Sequence, residues 1–173
     1  MEERKKNLLK LLEEFFQGDE DAEEVSLFEA SELGAPMDVL RVLITQYGAG
    51  LRTVLAEFSF LPLEGGDDIW VMTAVITLKT DISSAGAAVL SSVMSRLNFY
   101  LPYGGFALSS NGRMLVFKST TALRSDWEDE RIYQQMEISA DMALTAAEPH
   151  VESLISVASG DMTVEQFMSM LPA

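Results

Sequence analysis

The chain has 173 residues, of which 48% are hydrophobic, and its 27 acidic against 12 basic side chains give a net charge of −15. A single hydrophobic core extends to roughly 250 residues, so we expect one domain over residues 1–173. A surface with this charge repels nucleic acid and anionic membranes, because binding to phosphates depends on Lys and Arg. The lack of cysteine excludes disulfides, thiolate nucleophiles and cysteine-based metal sites.

The predicted location is the cytoplasm. The N-terminal bases are followed by only a short apolar patch at residues 8–12 before Glu13, so no signal peptide of ordinary form is expected. No apolar run approaches the ~20 residues that a membrane-spanning helix needs. A chain without cysteine also fits a reducing compartment.

The acidic side chains are concentrated in two stretches. Residues 13–32 hold nine acids and no Lys or Arg, and residues 132–173 hold six acids and again no Lys or Arg. Such stretches are typical of solvated faces, but they also attract a basic segment of a partner protein. Both interpretations remain open at this point.

The first helix is predicted over residues 2–17, where apolar residues recur at helical spacing and Gly18 ends the pattern. The acidic stretch 19–24 is predicted to be a solvated linker. A short turn follows, and Ser26 with Glu29 is predicted to form its capping box.

Three strands are predicted over residues 37–46, 51–61 and 69–80, with a polar loop before the last. The first two alternate apolar and polar residues, which is typical of antiparallel strands with one solvated face. Residues 47–50 between them are predicted to form a turn, because Gly48 and Gly50 can adopt positive φ without strain. The third strand is apolar on both faces, which favours a central place in the sheet.

The second helix is predicted over residues 83–98 and is rich in small residues. Small residues allow a helix to pack closely, either on its own sheet or on another subunit. We interpret Ala88, Ser92 and Ser95 as a surface for a dimer contact or for a client protein. Met168, in the last predicted helix, joins this set because methionine suits adaptable binding surfaces.

The Asn-Gly pair at 111–112 predicts a hairpin with a two-residue type I′ turn between strands 106–110 and 113–120. In this register four apolar side chains point to the core as two cross-strand pairs, and a slip of one residue would expose them. The pairs are Phe106 with Phe117 and Leu108 with Leu115.

The third major helix is predicted to begin near Ser125 or Asp126, and Ser125 with Glu128 is predicted to form a capping box. Pro149 lacks a backbone donor, so the helix is expected to kink or restart there. Residues 161–173 are predicted to be a C-terminal extension with a short helix, outside a core of about residues 2–158. The resulting order, α-β-β-β-α-β-β-α-α, predicts an α+β fold in which helices cover an antiparallel sheet.

The residue types that carry catalysis are not grouped in this sequence. His150 is the single histidine, whereas triads and most zinc sites need histidine with particular neighbours. The glycines of residues 48–50 lack the third glycine and the βαβ unit of a dinucleotide loop. We therefore expect no catalytic residue, no cofactor and no metal site. A small-ligand-binding domain, or an enzyme with an unrecognised site, is the alternative.

Several short motifs surround the predicted hairpin: Leu97-Asn98, Leu101-Pro102, Gly104-Gly105-Phe106, Asn111-Gly112 and Leu115-Val116-Phe117. Together they resemble the YbjN-like proteins and the related type III secretion chaperones. The similarity covers most of residues 2–158. The sequence departs from that family in the acidic turn 25–36 and in the tail 161–173.

This resemblance implies a secretion chaperone-like fold and a small, acidic, homodimeric cytoplasmic protein. Secretion chaperones are non-enzymatic and hold an extended segment of a client protein along apolar surface grooves, while YbjN-like proteins are linked to regulation. The expected partner is therefore a protein. If a dimer forms, we expect the second helix or the nearby hairpin edge to supply the contact.

Overall fold

The computed structural model describes residues 1–63 and 68–171, so part of the polar loop predicted over residues 62–68 lies outside it. Within those ranges the chain forms six strands and six helices. In chain order they are α1 Glu2–Gln17, β1 Ala22–Phe28, α2 Ala30–Leu33, β2 Val39–Tyr47, β3 Arg52–Phe60, β4 Ile69–Lys79, α3 Ser84–Tyr100, β5 Gly105–Leu108, β6 Leu115–Arg124, α4 Asp129–Ala147, α5 Val151–Ser159 and α6 Val164–Ser169.

The strands form one antiparallel sheet in the order β1-β2-β3-β4-β6-β5. The predicted α+β class with an antiparallel sheet is confirmed. The apolar strand β4 lies between β3 and β6, as its two apolar faces predict. Helix α3 connects β4 to β5, and the hairpin then brings β6 back against β4, which leaves β5 at the edge.

The core lies between one face of the sheet and the helices. Alternate strand residues such as Leu40, Val42 and Phe58 are fully buried on this face. The ring of Phe16 in α1 stacks on Phe58 with centroids 5.2 Å apart, and Met136 of α4 is also fully buried. Each such side chain contributes roughly 1.5–3 kcal/mol relative to an exposed one. One cluster of buried side chains therefore joins the sheet to the helices.

Polar contacts hold the ends of the helices in place. Arg4 of α1 donates hydrogen bonds to the carbonyl oxygens of Ser125 and Trp127, just before α4. Its guanidinium also lies 5.0 Å from the centre of the Trp70 ring. Because these carbonyls precede a helix, they have no partner within it, and Arg4 supplies one while it fixes α1 beside α4.

The prediction of a linker over residues 19–24 is wrong, because β1 begins within it. Val25 and Leu27 pack against the core, whereas Glu24 and Ser26 point away from it. This is a two-residue period, but its outward positions are polar or charged. The charged residues therefore hid the strand pattern in the sequence. The observed order of elements contains β1 and the short helix α2, which the predicted order lacks.

The capping box of α2 also differs from the prediction. Glu29, not Ser26, is the N-cap residue, and Glu32 supplies the second half of the box. Ser26 is unavailable for capping because it is already paired with Arg41 in the sheet. Gly34 ends the helix in the left-handed conformation, with a φ of 61°.

The hairpin register is confirmed, but its turn is not type I′. Phe106 pairs with Phe117 and Leu108 with Leu115, as predicted. A type I′ turn needs positive φ at two residues, whereas in residues 110–113 only Gly112 has one, at 70°. The Asn111 side-chain oxygen instead accepts hydrogen bonds inside the loop, from the Ser109 hydroxyl and the Arg113 amide.

The β2–β3 turn uses its glycines in two ways. Gly48 has a positive φ, at 71°, whereas Gly50 does not, and Leu51 takes a φ of 49°. A Cβ atom at Gly50 would lie 2.3 Å from a carboxylate oxygen of Glu152 in α5. Gly50 therefore permits a close approach, which lets Arg52 form a two-bond ion pair with Glu152.

The start of α4 was predicted three to four residues too early. Helix α4 begins at Asp129 after Glu128, and no side chain caps it. Ser125 is still part of the extended chain, because its amide donates to the Asp68 carbonyl oxygen at 3.0 Å. The predicted restart at Pro149 is confirmed, since one turn of 3₁₀ helix separates α4 from α5 there.

Helix α3 approaches α5 closely at Gly86. A Cβ atom there would lie 2.5 Å from the Ala158 carbonyl oxygen, which is backbone and does not yield easily. Gly86 is buried, whereas Ala88 on the same helix is exposed. The close packing predicted from small residues thus occurs within the chain, at Gly86.

We expect Gly86→Ala to lower the free energy of unfolding by about 1–3 kcal/mol, because overpacking forces α3 away from α5. A loss of stability is informative, because replacing glycine with alanine in a helix otherwise raises the stability by about 1 kcal/mol. Urea denaturation measures the change, and Ala88→Gly is the exposed control for helix propensity alone. A Gly86→Ala protein at least as stable as the parent would contradict this contact.

Candidate functional site

No helix covers the second face of the sheet in the part of the chain that the structure describes. We call this surface the open face. Its strand positions alternate with the core positions, yet many carry branched apolar side chains that are only partly exposed. These are Val39, Leu43, Leu55, Val71, Val75 and Val116.

The apolar side chains of the open face form a row across four strands. Leu43 pairs with Leu55, Leu55 pairs with Thr77, and Thr77 pairs with Val116. A shallow hollow of about 560 Å³ opens along this row, where Leu43, Leu55 and Thr77 line it and Lys79 lies beside it. The row is wide enough to receive a strand or a helix, because neighbouring strands lie about 4.8 Å apart.

The charge of the open face differs from that of the whole chain. The strand positions Arg41, Lys118 and Arg124 lie on it, against the acids Glu24 and Glu57. Arg41 donates to Glu57 at 2.8 Å and covers part of the face. The acidic stretches predicted to attract a basic partner are therefore mostly not on this surface.

Two side chains form hydrogen bonds with backbone groups at the edges of the sheet. At β5 the Asn98 side chain accepts a hydrogen bond from the Phe106 amide at 2.8 Å and donates one to the Phe106 carbonyl oxygen at 2.9 Å. At β1 the Glu13 carboxylate accepts from the Leu27 amide at 3.1 Å. Each side chain replaces the backbone of a further strand, and this blocks edge-to-edge pairing at those residues.

An apolar groove of about 350 Å³ lies on the helical side of the molecule. His150 lines it, half-buried and 6.0 Å from the Phe106 ring in an edge-on arrangement. Burial lowers the pKa of His150 below its ordinary value of 6.5, because the charged imidazolium is poorly solvated there. The other apolar side chains around the groove include Leu97, Leu101, Pro102, Ala146, Met170 and Leu171.

The structure brings three of the four predicted surface residues together. Ala88, Ser92 and Ser95 are exposed on the outer side of α3, and the Ser92 hydroxyl donates to the carbonyl oxygen of Val89 in the same helix. Met168 lies on α6 instead, where it is partly buried against the core. The alternative in which these α3 residues pack on the chain's own sheet is wrong for all three.

Residues 1–63 and 68–171 contain no group of three His, Asp or Glu side chains placed to hold a metal ion. In the same ranges, every helix is too short or too polar to cross a membrane. The surfaces described above are the candidates for a functional site.

No family model and no curated protein matches this chain. The resemblance to YbjN-like proteins and type III secretion chaperones therefore stays a prediction. Two of its motif residues have clear structural roles. Asn98 forms hydrogen bonds with the Phe106 backbone at the β5 edge. Gly104 has a φ of 64°, and a Cβ atom there would lie 2.4 Å from the Phe117 ring. Sequence reasoning singled out these residues but not the open face.

We expect Asn98→Ala to lower the free energy of unfolding by about 1–3 kcal/mol, because Phe106 loses both partners of its backbone groups. Ser92→Ala is the control, since its hydroxyl bonds only its own helix, and it should change stability by less than about 0.5 kcal/mol. Denaturant unfolding measures the change in stability of both variants. Equal stabilities would show that Asn98 does not hold the β5 edge.

We expect the single imidazole signal in proton NMR to titrate below pH 6.5. Because the folded protein favours neutral His150, the unfolded state binds the proton more readily, and stability should fall as the pH drops through 6.5. His150→Gln should remove this part of the pH dependence. A titration midpoint at or above 6.5 would contradict the apolar setting of the ring.

Proposed function

We propose that the chain is a non-enzymatic protein-binding domain that holds an apolar, extended segment of a client protein against the open face. The observation that carries this proposal is the row of Leu43, Leu55, Thr77 and Val116, which no helix covers in the described residues. A solvated sheet face ordinarily presents polar residues. Contiguous exposed apolar surface, by contrast, is a feature of interaction sites.

The charges on the open face define the client segment further. Lys118 is exposed and makes no ion pair among the described residues, while Arg41 and Arg124 are each paired with a carboxylate. A carboxylate in the client segment would therefore find a partner at Lys118. Residues flanking the segment reach the acidic remainder of the surface, where basic side chains are attracted over a longer range.

The more specific form of the proposal is a type III secretion chaperone-like or YbjN-like regulator in the cytoplasm. It rests on the resemblance around Asn98 and the Gly104–Phe117 hairpin. The open face supports it, because a chaperone of that kind needs an apolar surface that an extended client can cover. In this form the protein has no catalytic residue and no cofactor.

The alternative is a small-ligand-binding domain that uses the apolar groove beside His150. Its volume of about 350 Å³ falls within the range of ligand pockets, roughly 300–1,000 Å³. Few polar groups converge on it, however, and ligand specificity depends on such groups. The open face is therefore the better supported site.

Leu55→Glu tests the proposal, because it places a charge in the middle of the apolar row. Leu51→Glu is the matched control, since Leu51 is 69% exposed in the β2–β3 turn. Both tagged variants and the parent are used to capture proteins from the native cells. We expect a stoichiometric client on the parent and on Leu51→Glu, and at least tenfold less of it on Leu55→Glu.

The same client bound equally by Leu55→Glu would remove the open face from the proposal. Failure to recover any stoichiometric protein with the parent would contradict protein binding itself. Thermal unfolding of each variant is measured in parallel, so that loss of the client is distinguished from loss of the fold.

A further inference from the structure

The outer strand β5 is much shorter than its neighbour β6. Pairing between them extends from Leu108 with Leu115 to Gly105 with Lys118. Beyond that point β6 continues to Arg124, paired on its inner side with β4. Residues 119–124 therefore have a strand on one side only, and we call them the free edge.

The backbone direction of the free edge follows from one hydrogen bond. The Ser125 amide donates to Asp68 at the start of β4, so odd-numbered residues of β6 direct their backbone groups to β4. Because successive residues alternate, Thr120, Ala122 and Arg124 direct theirs outward. Among the bonds of the described residues, only the Arg124 carbonyl oxygen on this side has a partner, the Trp127 amide at 3.3 Å.

Asn98 bonds the outward backbone groups of Phe106 in β5, and Glu13 bonds one outward amide of β1, that of Leu27. At the free edge, no side chain among the described residues bonds the outward amides of Thr120 or Ala122. The Tyr103 hydroxyl contacts only the side chain of Thr121 there, at 2.8 Å. A hollow of about 420 Å³ opens beside Thr120, next to Gly104. Natural proteins block or cover exposed edges, and an uncovered one containing Thr, Ala and Leu suits pairing with another strand.

We propose that the free edge pairs with the free edge of a second copy of this chain, antiparallel and centred on Ala122. In this register Ala122 faces Ala122 of the second copy, and Thr120 faces its Arg124. The outward amides and carbonyl oxygens of each copy then meet those of the other. Two six-stranded sheets become one continuous sheet, and the two open faces lie side by side.

Symmetry and charge favour a second copy over an unrelated strand. The smallest side chain of the free edge, Ala122, lies on the two-fold axis, where the copies come closest. The charged residues stand at opposite ends, with Lys118 at one and the Arg124–Asp126 pair at the other. Antiparallel pairing brings the Arg124–Asp126 pair of each copy to the end of the free edge where Lys118 lies. Gly105 already pairs with the Lys118 backbone, so this contact is one of side chains and the paired backbone ends at Thr120. The same interface excludes the outer side of α3 as the dimer contact.

Molar mass in solution gives the first test. We expect the parent protein to have twice the 19.1 kDa chain mass by light scattering. Ala122→Pro removes the central outward amide and should give a monomer, whereas Ala122→Ser keeps the amide and should stay dimeric. The change to proline spares the β4 ladder, because the Ala122 amide does not point towards β4.

Single cysteines give the second test, which does not depend on the folding of the proline variant. The chain has no cysteine, so Ala122→Cys and Ala88→Cys each introduce the only thiol. Opposed residues of a hydrogen-bonded antiparallel pair have Cα atoms about 5.5 Å apart, which suits a disulfide. Under mild oxidation we expect a disulfide-linked dimer from Ala122→Cys and little from Ala88→Cys.

A monomeric parent protein overturns the proposal, and so does a dimer that cross-links through Ala88→Cys but not Ala122→Cys. A dimer that persists in Ala122→Pro with unchanged mass also overturns it. These outcomes are separate from the client experiment, because a monomer is still able to bind a client through Leu55 and a dimer is still able to lack one.

Discussion

The helices of this chain are enough to cover only one face of its sheet, and the rest of the structure depends on this constraint. Six strands about 4.8 Å apart form a surface roughly 25 Å across, and a helix with its side chains is about 10–12 Å wide. Helices α1, α4 and α3, with α5 packed on α3, fill one such face. The short helices α2 and α6 are too small to form a second layer, so the open face follows from the number and length of the elements.

Polar side chains set the positions at which this single layer meets the sheet. Arg4 joins the start of α1 to the segment before α4, and the Arg52–Glu152 pair joins the β2–β3 turn to α5. Arg52 lowers the pKa of Glu152, because its positive charge favours the charged carboxylate. Asn98 closes the β5 edge from the end of α3. Among the described residues, no such side chain bonds the outward amides of Thr120 and Ala122 on the free edge of β6.

The structure places the charged residues differently from what the net charge of the sequence suggests. A net charge of −15 suggests a uniformly acidic surface that attracts basic partners. The strands, however, place Arg41, Lys118 and Arg124 on the open face beside an apolar row. Charge in this protein is therefore not uniform, because bases lie among the apolar side chains of the open face.

The sequence by itself determined the features that depend on neighbours along the chain. These include α1, the hairpin register at Phe106 and Phe117, the restart at Pro149 and the central place of β4, because periodicity and turn residues act locally. The tertiary structure alone decided that residues 22–28 form a strand, that Gly50 and Gly86 serve close approach, and that Leu55 lies on an uncovered face. Each of these depends on what packs against a residue from far along the chain, and the residues near it do not specify that contact. The two-residue period of residues 22–28 is the one local trace, and its charged outward positions look like those of a solvated linker.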